Sequence, residues 1–189
     1  VGGVECNHYD ICYNRVHHTS GWLDTFGSGI SLYKLINIGG GVDADGYDNR
    51  IIGNLSYANE NDPSYGSAIT DGNGIIIDIA NGDYATNLVA YTGRVLVLNN
   101  ICVDNGGRGV HSLFSRNTDI MFNTSAYNEQ STAIQGQSEI DTIGSENCIV
   151  RGNIMLPDTP NGWFSLYEVS TTPVDNVILG GAASFSTAN

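Results

Sequence analysis

The sequence predicts an all-β solenoid, a parallel β-helix of about six coils with inserted loops, and three observations carry that reading. Five asparagines, Asn14, Asn54, Asn100, Asn123 and Asn153, sit in segments of one shape: ICYNRVHHT, IIGNLSYAN, VLNNICVDN, IMFNTSAYN and VRGNIMLPD. In four of the five a second Asn or Asp follows five positions later, at Asn59, Asn105, Asn128 and Asp158. Ahead of each Asn segment lies a small residue followed by alternating apolar positions: GVEC, GISLY, GIIID, GVHSL and AIQGQ. Recurrence of one supersecondary unit marks a solenoid, which buries its core between coils and leaves a flank free for a ligand.

The alternating segments have period two, so they are strands with one face inward. A weaker sixth, WFSLY, precedes VDNVIL near the C-terminal end. Successive asparagines are 40, 46, 23 and 30 residues apart. The shortest interval is the bare coil. The longer ones carry loops, over residues 34–49, 60–70 and 79–93, and loops on a rigid scaffold are where binding residues concentrate. Stacked coils lie about 4.8 Å apart, so an Asn at a fixed turn position forms a side-chain ladder that fixes the register. Asn54-Leu-Ser and Asn123-Thr-Ser match the glycosylation sequon, but as ladder positions they are unavailable to a glycan.

Composition agrees. The 189 residues suit a single domain spanning 1–189, with 24 Gly, 4 Pro and 14% charged residues, and no sustained helical periodicity is present. The chain opens at VGGVECNHYD without an initiator Met, which reads as a processed or truncated piece of a longer solenoid. Exposed terminal coils are unpaired sheet edges, so end-to-end self-association is expected. No apolar stretch reaches the length of a membrane span. The formal charge of −13 speaks against a nucleic-acid partner, and the acidic, lysine-poor composition reads as a secreted or cell-surface protein. Cys6, Cys12, Cys102 and Cys148 lack zinc-site spacing and are expected as buried thiols, with one disulfide as the alternative.

Stacking the strands by their leading small residues, Gly29, Gly74, Gly109 and Ala133, points Ile30 and Leu32, Ile75 and Ile77, and Val110 and Ser112 inward. Two columns then face outward: Ser31, Ile76, His111, Gln135, and Tyr33, Asp78, Leu113, Gln137. Asp71, Asn73, Asp78, Arg108 and His111 fall on one face of adjacent coils. A carboxylate pair beside a guanidinium and an imidazole suits acid–base chemistry on an acidic sugar. Asn73, Tyr33, Lys34 and Gln135 border that patch as candidate substrate contacts, with Lys34 an alternative base if burial lowers its pKa. His17 and His18, near Trp22 and Tyr33 in this scheme, offer rings for sugar stacking. Asp43, Asp45 and Asp48 alternate around a Gly turn, a spacing that suits Ca²⁺, and Asp71 with Asn73 and Asp78 is a second calcium option. No serine-hydrolase constellation and no phosphate-binding loop is present.

The run GSGISLY…DNRIIGNLSYAN…ITDGNGIIID…NNICVDNGGRGVHSLFSRNTDIMFNTSAYN is similar to bacterial right-handed parallel β-helix repeat proteins, related to the pectate-lyase-like superfamily, over about residues 5–158. The resemblance implies a right-handed coil and β-elimination on a uronate-containing polysaccharide. On it, Arg108 clamps the substrate carboxylate, His111 or Lys34 is the base, and Asp71 and Asp78 hold a cation or orient the imidazole. TDG at 70–72 also resembles the polygalacturonase-type hydrolases, which use paired Asp. A non-catalytic carbohydrate-binding or adhesin module is the third reading.

Overall fold

The structure is a computed structural model that describes residues 1–19, 27–39, 43–61, 69–82, 89–134, 138–157, 163–167, 172–179 and 182–186. Every regular element among them is a strand, and every strand pairing is parallel. Three sheets run along the molecule. The first contains Gly2–Val4, Ile30–Tyr33, Ile75–Asp78, Val110–Leu113, Ser138–Asp141, Trp163–Tyr167 and Ala182–Ser186. The second contains Asp10–Cys12, Asn49–Ile52, Val95–Leu98, Thr118–Met121, Ile149–Arg151 and Thr172–Val174. The third contains Arg15–His17, Leu55–Tyr57, Ile101–Val103, Thr124–Ala126, Ile154–Leu156 and Val177–Ile178. The chain visits the sheets in turn and pairs each strand with its equivalent in the next coil.

The inward positions build the core. Ile30, Leu32, Ile75, Ile77, Val110, Ile51, Val95, Val97, Cys102 and Ile120 are all fully buried, as the alternation in their strands predicts. Cys6, Cys12, Cys102 and Cys148 are free thiols, and burial pushes Cys102 and Cys148 up, away from thiolate chemistry.

Two polar ladders hold the corners. Asn14, Asn54, Asn100, Asn123, Asn153 and Asn176 form the first. Each Oδ1 accepts from both the backbone N–H and the Nδ2 of the preceding rung, at 2.9–3.0 Å. The residue before each rung after the first strand turn takes the left-handed region, at Tyr13, Gly53, Asn99, Phe122, Gly152 and Asp175, which turns the chain from the second sheet to the third. The second ladder runs through Thr19, Asn59, Asn105 and Asn128. Asp158, the expected next rung, lies outside the described residues. The carboxylate of Glu139 completes this ladder, accepting from the backbone N–H of Asn128 at 3.1 Å, from its Nδ2 at 2.5 Å and from Ser125 Oγ at 2.7 Å.

Candidate functional site

The outer face of the first sheet carries the site. Its register places Ser31, Ile76, His111 and Asp141 in one column and Val4, Tyr33, Asp78 and Leu113 in the other. The second, third and fourth coils match the stacking expected from Gly29, Gly74 and Gly109. The fifth does not. Its strand is Ser138–Asp141, so Ile140 pairs with Val110 and Asp141 with His111, whereas the sequence reading started that strand at Ala133. Gln135, placed in this column from the sequence, lies outside the described residues, as does Trp22.

A groove of about 550 Å³ opens on this face, within the size range of small-ligand sites. Its walls include Tyr33, Asp71, Ile76, Asp78, Ile79 and Phe114. The strand-end residues Lys34, Ile79 and Phe114 have φ of 54°, 54° and 43°. A β-branched residue in the left-handed region is strained by about 1–3 kcal/mol, and Ile79 directly follows Asp78, so backbone strain sits beside the acidic group.

The TDGNG turn delivers the second carboxylate. A Cβ on Gly74 would lie 2.7 Å from the Gly109 carbonyl oxygen, so only Gly lets consecutive coils approach there. Asn73, two residues after Asp71, is fully buried. Its Nδ2 donates to Asp71 Oδ1 at 3.0 Å and to Ser28 Oγ at 3.3 Å, and its Oδ1 accepts the Arg108 backbone N–H at 2.9 Å. Asn73 is thus a bracket that sets the orientation of Asp71, rather than the exposed substrate contact read from the sequence.

Burial, opposed by the Arg108 charge and the Asn73 hydrogen bond, pushes Asp71 up to about 6. Burial, reinforced by the Asp71 charge and opposed by Lys34, pushes Asp78 up to about 7. The Oδ1 of Asp78 is buried and has no hydrogen-bond partner. Two carboxyls on one groove are therefore both lifted toward neutrality, a range in which a carboxyl can accept or give a proton. Lys34 places its ammonium 5.0 Å from the centre of the Tyr33 ring, a cation–π contact at the edge of the same region.

Arg108 and His111 lie deeper than expected. They are 7% and 3% exposed, and neither lines the groove. Both converge on Asp141: Arg108 through Nε, and His111 with Nε2 3.0 Å from Asp141 Oδ1. Burial pushes Asp141 up, but the His111 and Arg108 groups outweigh it and hold the carboxyl below its ordinary value. Burial lowers His111, despite Asp141, so the imidazole stays neutral at neutral pH. The arrangement is a buried charge pair with an imidazole attached. Arg108 is matched to the Asp141 carboxylate through Nε and does not line the groove, where the sequence reading placed it as a substrate clamp. Asp141, missed in the sequence, stacks on His111 and Ile76 rather than on Asp78, so the recurrence of Ile-Asp at 77–78 and 140–141 would not have given its register.

The acidic turn is differently built from the calcium expectation. Asp43 and Asp45 bind Arg50 at 2.9 and 2.6 Å, and Asp10 adds a third carboxylate at 3.2 Å. Asp48 faces away, accepting the Arg94 backbone N–H at 2.7 Å. Among the described residues no three His, Cys, Asp or Glu groups are arranged to hold a metal ion. A cation at Asp43 and Asp45 would have to displace a guanidinium. A chelator is therefore expected to leave the melting temperature unchanged, and a fall of several degrees on adding EDTA would restore the calcium reading.

No known family model and no curated protein matches the sequence. Among solved structures the chain is similar to the A-module of the mannuronan C-5 epimerase AlgE4 from Azotobacter vinelandii, with a TM-score of 0.51 and 13% identity over 84% of this chain. The chain is a right-handed parallel β-helix. It spans 46% of that structure, about half its length, and at this identity the likeness speaks for the fold alone.

Proposed function

We propose that the groove on the first sheet binds an extracellular uronate-containing polysaccharide and that Asp71 and Asp78 transfer a proton at the carbon bearing the uronate carboxylate. The observation that carries this reading is the carboxyl pair on one groove wall, lifted to about 6 and about 7. The solved β-helix of a mannuronan C-5 epimerase supports it as a precedent for such chemistry on this scaffold. Asp71, hydrogen-bonded by Asn73 and beside the Arg108 charge, is the ionised member and accepts the proton. Asp78 in its protonated form donates a hydrogen bond to the substrate carboxylate, easing the charge that builds there. That proton also answers the difficulty of bringing a polyanion to a chain of charge −13. Tyr33 and the apolar wall of Ile76, Ile79 and Phe114 offer the surface on which a sugar ring packs. From the resulting carbanion, loss of the C4 alkoxide, which takes a proton from the newly protonated Asp71 or from water, gives elimination, and delivery of a proton from water to the opposite face gives epimerisation.

The experiment is incubation with mannuronan, alginate and polygalacturonate in deuterium oxide, followed by NMR. Both outcomes of the proposed step leave a signature: an unsaturated terminal uronate, or deuterium at C5 with inverted configuration. New reducing ends with neither signature would overturn proton abstraction in favour of hydrolysis. The same pair suits hydrolysis, since a protonated and an ionised carboxyl are the equipment of a glycosidase. Binding without any product would mark a non-catalytic carbohydrate-binding module.

A further inference from the structure

A second cluster lies away from the groove, on the outer face of the third sheet. His17 ends the strand Arg15–His17 and stacks on Tyr57 of the next coil, with ring centroids 4.8 Å apart and planes inclined by 21°. Arg15 lies on the same ring, 5.1 Å from its centroid, and donates to the Tyr57 hydroxyl through Nε at 2.9 Å. His18 turns back through a left-handed φ of 51°, its N–H bonded to the Ala58 carbonyl at 3.0 Å. The following residue, Thr19, is the first rung of the second ladder. Both rings are thus oriented by fixed neighbours. They meet nearly perpendicular, at 89°, and their Nδ1 atoms share a hydrogen bond of 3.0 Å, whose proton moves to the Nε2 of the donor ring when a metal takes its place; both residues are exposed.

We propose that the paired Nδ1 atoms of His17 and His18 form a surface site for a late first-row divalent metal ion, copper(II) foremost, with the remaining positions taken by water. With metal–nitrogen bonds of about 2.0–2.1 Å, a separation of 3.0 Å closes a nitrogen–metal–nitrogen angle of about 91–97°. That is the angle between neighbouring ligands in square-planar or octahedral geometry, which copper(II) and nickel(II) favour, and it is narrower than the tetrahedral angle of zinc. Copper(II) also stands highest in the affinity order of divalent ions for nitrogen ligands. The chain's net charge of −13 raises the local cation concentration. Stacking on Tyr57 occupies one face of His17, so the ring meets the metal edge-on through Nδ1, and the fixed turn at His18 limits the ordering that binding would otherwise require. The same stacking makes Tyr57 a poor platform for a sugar, because Arg15 and His17 already cover it.

The test is titration of the full chain with copper(II) chloride and with nickel(II) chloride, by calorimetry and by electron paramagnetic resonance for copper. One equivalent is expected to bind, with an axial copper spectrum bearing nitrogen hyperfine structure. His17→Ala and His18→Ala are each expected to weaken binding by at least about tenfold, while His8→Ala leaves it unchanged. Both histidines are exposed, so the variants are expected to melt with the parent protein. Binding undiminished in either variant, or lost in His8→Ala, would overturn the site, as would the absence of a stoichiometric step. The outcome is independent of any activity at the groove.

Discussion

Replacing Asp78 with Asn is expected to lower turnover on the cognate polysaccharide by about 10²–10⁴-fold, the usual contribution of a positioned acid–base group, and to make the protein more stable above pH 7. The second half follows from linkage. The folded carboxyl, pushed up to about 7, holds its proton over a range in which the unfolded chain has released it. The native state then binds more protons than the unfolded state, so stability falls as pH rises from about 4 through about 7 and is flat beyond. Asparagine has nothing to ionise and escapes that loss. Discounted for partial exposure, the gain is on the order of 1–2 kcal/mol. Asp71, pushed up to about 6, behaves in the same sense over a window that closes earlier. For the active protein, the proposed roles require Asp71 ionised and Asp78 protonated, so kcat/KM should trace a narrow bell whose limbs belong to the pair rather than to either residue. A variant that loses both activity and stability would mean that Asp78 is a structural residue and that the chemistry lies elsewhere.

That trade-off, once measured, would mark the pair as functional more firmly than position alone. A carboxyl with a buried, unpartnered oxygen destabilises the native state at neutral pH, and such costs concentrate at working sites. The Arg108–Asp141 pair is buried and matched in charge, with His111 Nε2 3.0 Å from Asp141 Oδ1, and has the character of a structural support. Its contact with the working pair runs through Asn73, which accepts from the Arg108 backbone and donates to Asp71.

How legible this was in the sequence depended on which physical rule each residue obeys. The Asn ladder was plain because a turn position recurs whatever loop lies between, so intervals of 40 and 23 residues encode the same stacking. Its sixth rung, Asn176, was hidden in a segment recognised only as a strand. The inward and outward sides of Ile30–Tyr33, Ile75–Asp78 and Val110–Leu113 followed from alternation. The fifth coil escaped because the reading required a small residue at the strand entry. Glu139 aligns with Gly109 there, and it fits only because its carboxylate folds inside to cap the Asn128 rung. Losing that register lost Asp141. Alternation also gives direction without depth: His111 points outward and is nevertheless 3% exposed, since what covers a sheet face comes from elsewhere in the chain. The two acidic turns were indistinguishable by composition. What separates them is the company they keep: Arg50 neutralises Asp43 and Asp45, while Asp71 and Asp78 retain their tension.

Asn100→Ala is expected to cost about 3–5 kcal/mol, as at the other interior rungs of the ladder. The side chain is 1% exposed and makes four hydrogen bonds. Its Oδ1 accepts from the backbone N–H and the Nδ2 of Asn54, both at 2.9 Å, and its Nδ2 donates to the Ile51 carbonyl and to Asn123 Oδ1, both at 2.9 Å. The Asn54 amide and the Ile51 carbonyl are left facing a cavity, and a buried group without its partner costs about 1–3 kcal/mol. Asn100→Asp keeps the acceptors but removes both donors and brings a charge into the same space, so it should be at least as damaging. The end of the ladder supplies the control. Asn176 is half-buried and makes one donor bond to the Val150 carbonyl while accepting from Asn153, so Asn176→Ala should cost far less. Urea midpoints at unchanged slope measure the difference. Equal losses at Asn100 and Asn176 would show that the rungs act one by one through local turn geometry. A steep fall toward the end would show that stability comes from stacking, in which each amide is satisfied only because its neighbours above and below are in register.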